Sequence, residues 1–202
     1  RFPDLRVISR MGIGYDNVDL DAARAAGVVV CNGPDSPTVS TAEHTMMLLL
    51  AVTKELPIQQ ARAAEAMGGP AVATSLELDG STLGLVGLGR IGVRVARAAL
   101  GLGMRVIAND PGIEQSPIDD VELVGLDELF ATSHVISLHA PSIPATRHMI
   151  NAESIASMRR GVYLVNCARG PLIDQDALVA AIDSAHVAGV ALDVTDPEPL
   201  PA

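Results

Sequence analysis

The 202 residues are 49 % hydrophobic and 19 % charged, enough apolar material for one large domain or one domain with part of a second. Gly, Pro, Arg or Asp breaks every apolar run well short of a membrane span, and no basic leader precedes an apolar stretch with a small-residue cleavage site, so a soluble, cytoplasmic protein is expected. Lys and Arg number 14 against 24 Asp and Glu, a net charge of −10 that argues against nucleic acid as a partner. The two cysteines, Cys31 and Cys167, are too few for a disulfide scaffold and lack the close spacing of a zinc site, so both are expected as small buried hydrophobes and no metal is expected. With 2 % aromatic residues and no Trp, the core must be packed with Ala, Val, Leu and Ile, a composition suited to helices laid on a parallel sheet.

In chain order, a strand at Leu5–Ser9 leads through the turn Met11-Gly12-Ile13-Gly14 to a small helix at Leu20–Ala26 and a strand at Val28–Asn32. The loop Gly33-Pro34-Asp35-Ser36-Pro37 can continue neither element and forms the best domain boundary. Thr38 to about Glu55 predicts a long helix with Met46, Leu49 and Leu50 on one side and Pro57 closing it. Gln59–Ser75 is Ala-rich with a Gly68-Gly69-Pro70 break, and its periodicity predicts no element. From there strands at Thr82–Val86, Arg105–Asn109, His134–His139, Val162–Asn166 and Val187–Val194 alternate with helices at Arg90–Leu100, Glu153–Met158 and Gln175–Ile182. Such alternation predicts an α/β fold with a doubly wound parallel sheet. No internal repeat or low-complexity tract interrupts it.

Gly87-Leu88-Gly89-Arg90-Ile91-Gly92 fits GxGxxG, with an apolar strand running into it and an amphipathic helix running out. That context makes it a dinucleotide site of the Rossmann kind: Gly87 for the tight turn, Gly89 for close approach of a pyrophosphate, Gly92 for helix–strand packing, and the helix N-terminus for phosphate oxygens. Asp110 ends the next strand about 20 residues on, where an acid should accept from the adenosine ribose. No Lys or Arg lies between Arg105 and Arg147 to meet a 2′-phosphate, so the expected cofactor is NAD. In Asn166-Cys167-Ala168-Arg169-Gly170-Pro171, Arg169 follows the C-terminal end of a strand, where ligands bind in open α/β sheets. There it either faces the cleft with a guanidinium suited to a carboxylate or carbonyl, or stands in solvent at a helix entry. Asp193 and Glu198 follow the last strand. Each alone reads as a solvated loop residue; with Arg169 they point toward one cleft.

Ser9-Arg10-Met11-Gly12-Ile13-Gly14-Tyr15-Asp16-Asn17-Val18-Asp19, Thr41-Ala42-Glu43-His44, Gly87–Gly92, Leu138-His139-Ala140-Pro141, Asn166–Asp174, and Leu192-Asp193-Val194 through Glu198-Pro199 together resemble the D-isomer-specific 2-hydroxyacid dehydrogenase family almost end to end. The family includes glyoxylate and hydroxypyruvate reductases, D-3-phosphoglycerate dehydrogenases, D-lactate dehydrogenases and the C-terminal-binding-protein corepressors. The resemblance implies an NAD-dependent oxidoreductase acting on a small 2-oxo acid/(D)-2-hydroxy acid pair. It makes Arg169 the holder of the substrate carboxylate and carbonyl, and Glu198 the group that orients a catalytic histidine and raises its pKa. Asp193 would meet the nicotinamide carboxamide, and His139, Pro141, Cys167 and Ala168 would line the cofactor. Backbone N–H groups of Gly12, Ile13 and Gly14 would clamp the substrate carboxylate, with Arg10 nearby.

The same resemblance implies a homodimer built on the helix from Thr38 and the Ala-rich arm after Pro57. It divides the chain into residues 1–37, part of a flavodoxin-like substrate domain, and 38–202, an NAD-binding domain incomplete at its C-terminal end. The family's catalytic histidine lies beyond the Glu in a Pro-His motif, which this chain, ending at Pro201-Ala202, does not include, and none of His44, His134, His139, His148 and His186 matches that role. The chain is therefore expected to be the middle of a longer enzyme. The family's Gly-x-Trp element is also missing between Gln59 and Ser75. Two other readings share the motifs: an NAD(H)-sensing binding protein of the corepressor type, and a formate or phosphite dehydrogenase on the same fold.

Overall fold

The computed structural model describes residues 2–64 and 75–199. The chain divides into two compact units, Arg1–Thr41 and Ala42–Ala202.

The first unit is one β-α-β turn of chain. Strands β1 (Val7–Arg10) and β2 (Val29–Asn32) pair in parallel, Val7 opposite Val29, and helix α1 (Leu20–Ala25) crosses between them. Asp19 caps α1 by accepting from the Ala22 N–H at 2.9 Å, which satisfies one of the orphan donors of its first turn. Ala23 is the one buried residue of α1, and β2 is exposed along most of its length. Cys31 is accordingly exposed, not buried as expected, because a two-stranded sheet with one short helix leaves β2 largely uncovered.

The second unit carries a six-stranded, wholly parallel sheet: β3 (Thr82–Val86), β4 (Arg105–Asn109), β5 (Val121–Leu123), β6 (Val135–Leu138), β7 (Val162–Asn166) and β8 (Val187–Leu192), in the order β5-β4-β3-β6-β7-β8. Counted from β3, this is the doubly wound order 3-2-1-4-5-6, and the direction of winding reverses between β3 and β6. Side chains alternate between two buried faces. Leu83, Leu85, Val106, Ala108, Val135 and Val165 pack under α2 (Thr38–Thr53) and α4 (Arg90–Gly101), and Val86, Ile107, Ile136, Leu138 and Leu164 under α5 (Leu126–Thr132), α6 (Ala152–Ser157) and α7 (Gln175–Asp183). On α4 the buried residues Gly92, Val95, Ala96 and Ala99 repeat at helical spacing, which fixes the face it lays on the sheet.

Several expectations shift. In α2 the buried face runs through Ala42, Thr45, Leu49 and Thr53, while Leu50 is exposed: the run Met46–Val52 is apolar all round the helix, so the sequence does not reveal the core-facing stripe. Pro57 does not close α2. Glu55, at φ +53°, breaks the helix, and Pro57 stands in the first turn of α3 (Leu56–Ala64), where its missing N–H costs no hydrogen bond. Residues 65–74, including the Gly68-Gly69-Pro70 break, lie outside the described residues. The elements β5 and α5 and the 3₁₀ turn Gly170–Leu172 had no sequence forecast. Among the described residues no helix is long and apolar enough to cross a membrane.

Candidate functional site: a dinucleotide cradle at the switch point

β3 ends at the reversal point, and the glycine turn begins there. Gly87 has φ +100°, a conformation L side chains rarely adopt, and a Cβ on it would lie 2.8 Å from the His139 carbonyl oxygen at the end of β6. A Cβ on Gly92 would run into the Gly87 carbonyl oxygen, so this glycine lets α4 lie against the turn. Gly89 differs: a Cβ there meets nothing within 4 Å, so packing within the chain does not require glycine at this position. What its missing side chain leaves open is the space before α4, whose N-cap Gly89 supplies no side-chain hydrogen bond to the first-turn N–H groups at Arg90, Ile91 and Gly92. Open space before the positive end of a 12-residue helix fits a pyrophosphate.

Asp110 follows β4 and fastens this turn. Its Oδ2 accepts from the Leu88 N–H at 2.8 Å and its Oδ1 from the Gly112 N–H at 2.9 Å. Each carboxylate oxygen retains a further lone pair for a ribose hydroxyl. The nearest cation in sequence, Arg105, is held by Glu122 on β5 at 2.9 Å, which leaves its charge offset.

Across the switch point, His139 follows β6 and its Nε2 lies 3.0 Å from the Ser137 hydroxyl. Burial holds the imidazole neutral, pushing its pKa from 6.5 down to about 4. Pro141 accepts from the Thr146 hydroxyl at 2.6 Å, which folds the loop after β6 on itself.

The third corner is organised by a residue the sequence reading did not single out. Asn166, buried at the end of β7, donates from Nδ2 to the Arg169 carbonyl at 2.8 Å and accepts at Oδ1 from the Ala168 N–H at 3.0 Å. Its own carbonyl accepts from the Asp193 N–H at 3.0 Å. One side chain thus shapes the Arg169 turn, and the same residue's backbone pins the start of the segment after β8. Gly170 brings the two together, since a Cβ there would run into the Thr195 carbonyl and the Asp196 N–H. Arg169 is half-buried, with Nη1 donating to the Ala168 carbonyl at 2.6 Å. Asp193 is paired through Oδ1 with His44 Nε2 of α2 at 3.2 Å. Cys167 is buried as expected; burial pushes its thiol pKa up, partly opposed by a hydrogen bond with Thr45 and aided by the charge of Asp193. Glu198 is exposed beyond this junction. Asn166 carries a readable signal, a polar side chain inside a strand of otherwise buried residues; His44 carries none beyond its place beside Glu43.

In the first unit, the loop Gly12–Gly14 is held through its carbonyls. Gly12 O accepts from the Gly33 N–H, Ile13 O from Asn32 Nδ2 and Gly14 O from Arg10 Nε, at 3.1, 2.9 and 2.9 Å. Among the described residues the N–H groups of Gly12, Ile13 and Gly14 have no such partner. No three His, Cys, Asp or Glu side chains gather as a metal site among the described residues.

The strand order, the glycine turn at the reversal point and the carboxylate ending the second strand of the sheet define a dinucleotide-binding α/β domain. The chain belongs to the D-isomer specific 2-hydroxyacid dehydrogenase family, whose NAD binding domain matches residues 46–202. It is 41 % identical over 97 % of its length to D-3-phosphoglycerate dehydrogenase of Synechocystis sp., covering 36 % of that protein. To hydroxypyruvate reductase of Thermotoga maritima it is 43 % identical over 97 % of its length, covering 64 % of it. D-lactate dehydrogenase of Aquifex aeolicus, solved with NAD and lactic acid, superposes with a TM-score of 0.89 at 38 % identity, over 96 % of this chain and 59 % of that one. The chain spans less than two thirds of each of these relatives.

Proposed function

We propose that the protein is an NAD-dependent oxidoreductase that interconverts a small 2-oxo acid and the corresponding (D)-2-hydroxy acid. The observation that carries this reading is the junction at Asn166, which holds the Arg169 turn and Asp193 together at the C-terminal edge of the sheet. When bound, NAD supplies or takes up the hydride. Arg169 presents a planar, permanently charged donor to the substrate carboxylate and the reacting oxygen, stabilising the negative charge that develops there. The unshared N–H groups of Gly12, Ile13 and Gly14 suit a carboxylate, with the Arg10 guanidinium tied beside them. Asp193 accepts from the carboxamide. Glu198 keeps a histidine acid/base protonated for transfer to the alkoxide oxygen. Asp110, with Arg105 engaged by Glu122, favours NAD(H) over NADP(H).

Residues 1–37 serve the substrate and 38–202 the cofactor. A homodimer is the assembly, supported by the exposure of Met47, Leu50, Leu56 and Ile58 on α2 and α3. The cytoplasm is the compartment, supported by two cysteines that form no disulfide.

The test is NADH oxidation by the full-length protein with glyoxylate, hydroxypyruvate and, in reverse, formate and phosphite. Turnover of a 2-oxo acid that falls about 10- to 100-fold in kcat/KM on Arg169→Ala supports the reading. NADH binding with no turnover of any of these compounds points to the corepressor-type alternative.

A further inference from the structure

We propose that His44 is a positioning residue that orients the cofactor's carboxamide through Asp193. The inference rests on the reading above, in which Asp193 meets that carboxamide. His44 Nε2 and Asp193 Oδ1 lie 3.2 Å apart, and an ionised carboxylate only accepts, so Nε2 carries the proton in this pair. Among the described residues His44 is the histidine paired with a carboxylate; His134 accepts from the Thr82 N–H, His139 meets Ser137, His186 meets the Met158 carbonyl, and His148 is held through its backbone by Pro171 and Asn151.

The pair joins two elements fixed independently of it. On one side the Asp193 backbone is pinned to Asn166 at the end of β7. On the other, the next residue of α2, Thr45, is buried and its hydroxyl bonds the thiol of Cys167 one position further along the same strand end. The helical turn His44-Thr45 therefore rests on the ends of both β7 and β8. Backbone anchoring leaves the Asp193 side-chain torsions free, and His44 is the described group that restrains them. With Oδ1 engaged, Oδ2 remains to accept from an amide N–H, the one donor type a carboxamide offers. The two side chains are 41 % and 48 % exposed, so solvent screens the pair and its effect is modest.

The experiment is a pair of titrations on the full-length protein, with NADH, followed by its own fluorescence, and with ADP-ribose, which has the same phosphates and sugars but no nicotinamide. His44→Leu should weaken NADH about three- to fivefold and leave ADP-ribose unchanged. His44→Gln, which keeps an N–H donor, should recover most of that loss. Unchanged NADH affinity in His44→Leu, or equal weakening of both ligands, overturns the proposal, because a packing role would not distinguish them. ADP-ribose binding also reports that the variant is folded. Asp193→Ala separates the two levels of the argument. If it lowers the NADH/ADP-ribose affinity ratio while His44→Leu does not, the positioning role alone is wrong. If it leaves the ratio unchanged, the placement of the carboxamide at Asp193 fails, and the role of His44 fails with it.

Discussion

At the corner where β3 enters α4, the geometry is set by backbone against backbone: Gly87 against the His139 carbonyl, Gly92 against the Gly87 carbonyl, and one carboxylate, Asp110, closing two N–H groups of the turns. At the corner where β7 and β8 end, side chains do this work across long sequence separations, with Asn166 shaping the Arg169 turn and His44 reaching Asp193. The first corner is fixed by contacts within the backbone itself. The second, apart from the buried Asn166, holds its polar groups on partly exposed side chains, Arg169, His44 and Asp193, whose conformational freedom is larger and whose charges are screened. A site that binds one invariant group and acts on another has reason to be built this way: the pyrophosphate needs a fixed cradle, and the reacting end needs groups that adjust.

The largest expected effect breaks the rigid corner. Gly92→Ala forces a methyl into the Gly87 carbonyl, where no flexible side chain can give way, and should cost on the order of 3 kcal/mol together with the loss of NADH binding. Thermal unfolding compared with Gly89→Ala, which meets nothing within 4 Å, gives the contrast: the latter should keep its Tm and lose cofactor affinity only.

Next is the half-buried imidazole between the corners. His139 folds with a pKa near 4 against 6.5 when exposed, so between these values the unfolded chain binds the proton more readily and stability falls as pH drops. The full contribution, about 3 kcal/mol, is present above pH 6.5 and lost on approaching pH 4. Urea midpoints at pH 7 and pH 4.5 should converge in His139→Gln relative to the wild type.

At the adjustable corner, Glu198→Gln should leave NADH affinity nearly unchanged and move the acidic limb of the pH–rate profile downward, since an imidazolium without its carboxylate loses its proton more easily. An unchanged limb would remove Glu198 from the acid/base pair. One more variant sharpens the comparison: Asp110→Ser loses the carboxylate at the ribose and the fastening of Leu88 and Gly112, so NADH should weaken while NADPH is relieved of a like charge, narrowing the preference from both directions.

The same contrast explains what was legible in the sequence. Thr82–Val86 and Arg105–Asn109 match their forecasts end to end, because a buried parallel strand is a continuous apolar run bounded by glycine or charge. β5 is three residues long, and α5 follows Gly125, which offers no side-chain cap, so neither offers a periodicity or a start signal. Leu49 and Leu50 could not be told apart inside the unbroken apolar run Met46–Val52. The glycine turn was readable because its contacts are local. His44 and Asp193 lie far apart in sequence, and no local pattern records a pair that only the folded sheet brings together.

The central claim is that the rigid corner is an NAD cradle, with Asp110 at the adenosine ribose. Parallel titration of the full-length protein with NADH and NADPH tests it most directly. The account predicts NADH binding at least about tenfold tighter, the discrimination expected when a carboxylate meets a 2′-phosphate. Equal affinity for the two cofactors would contradict it.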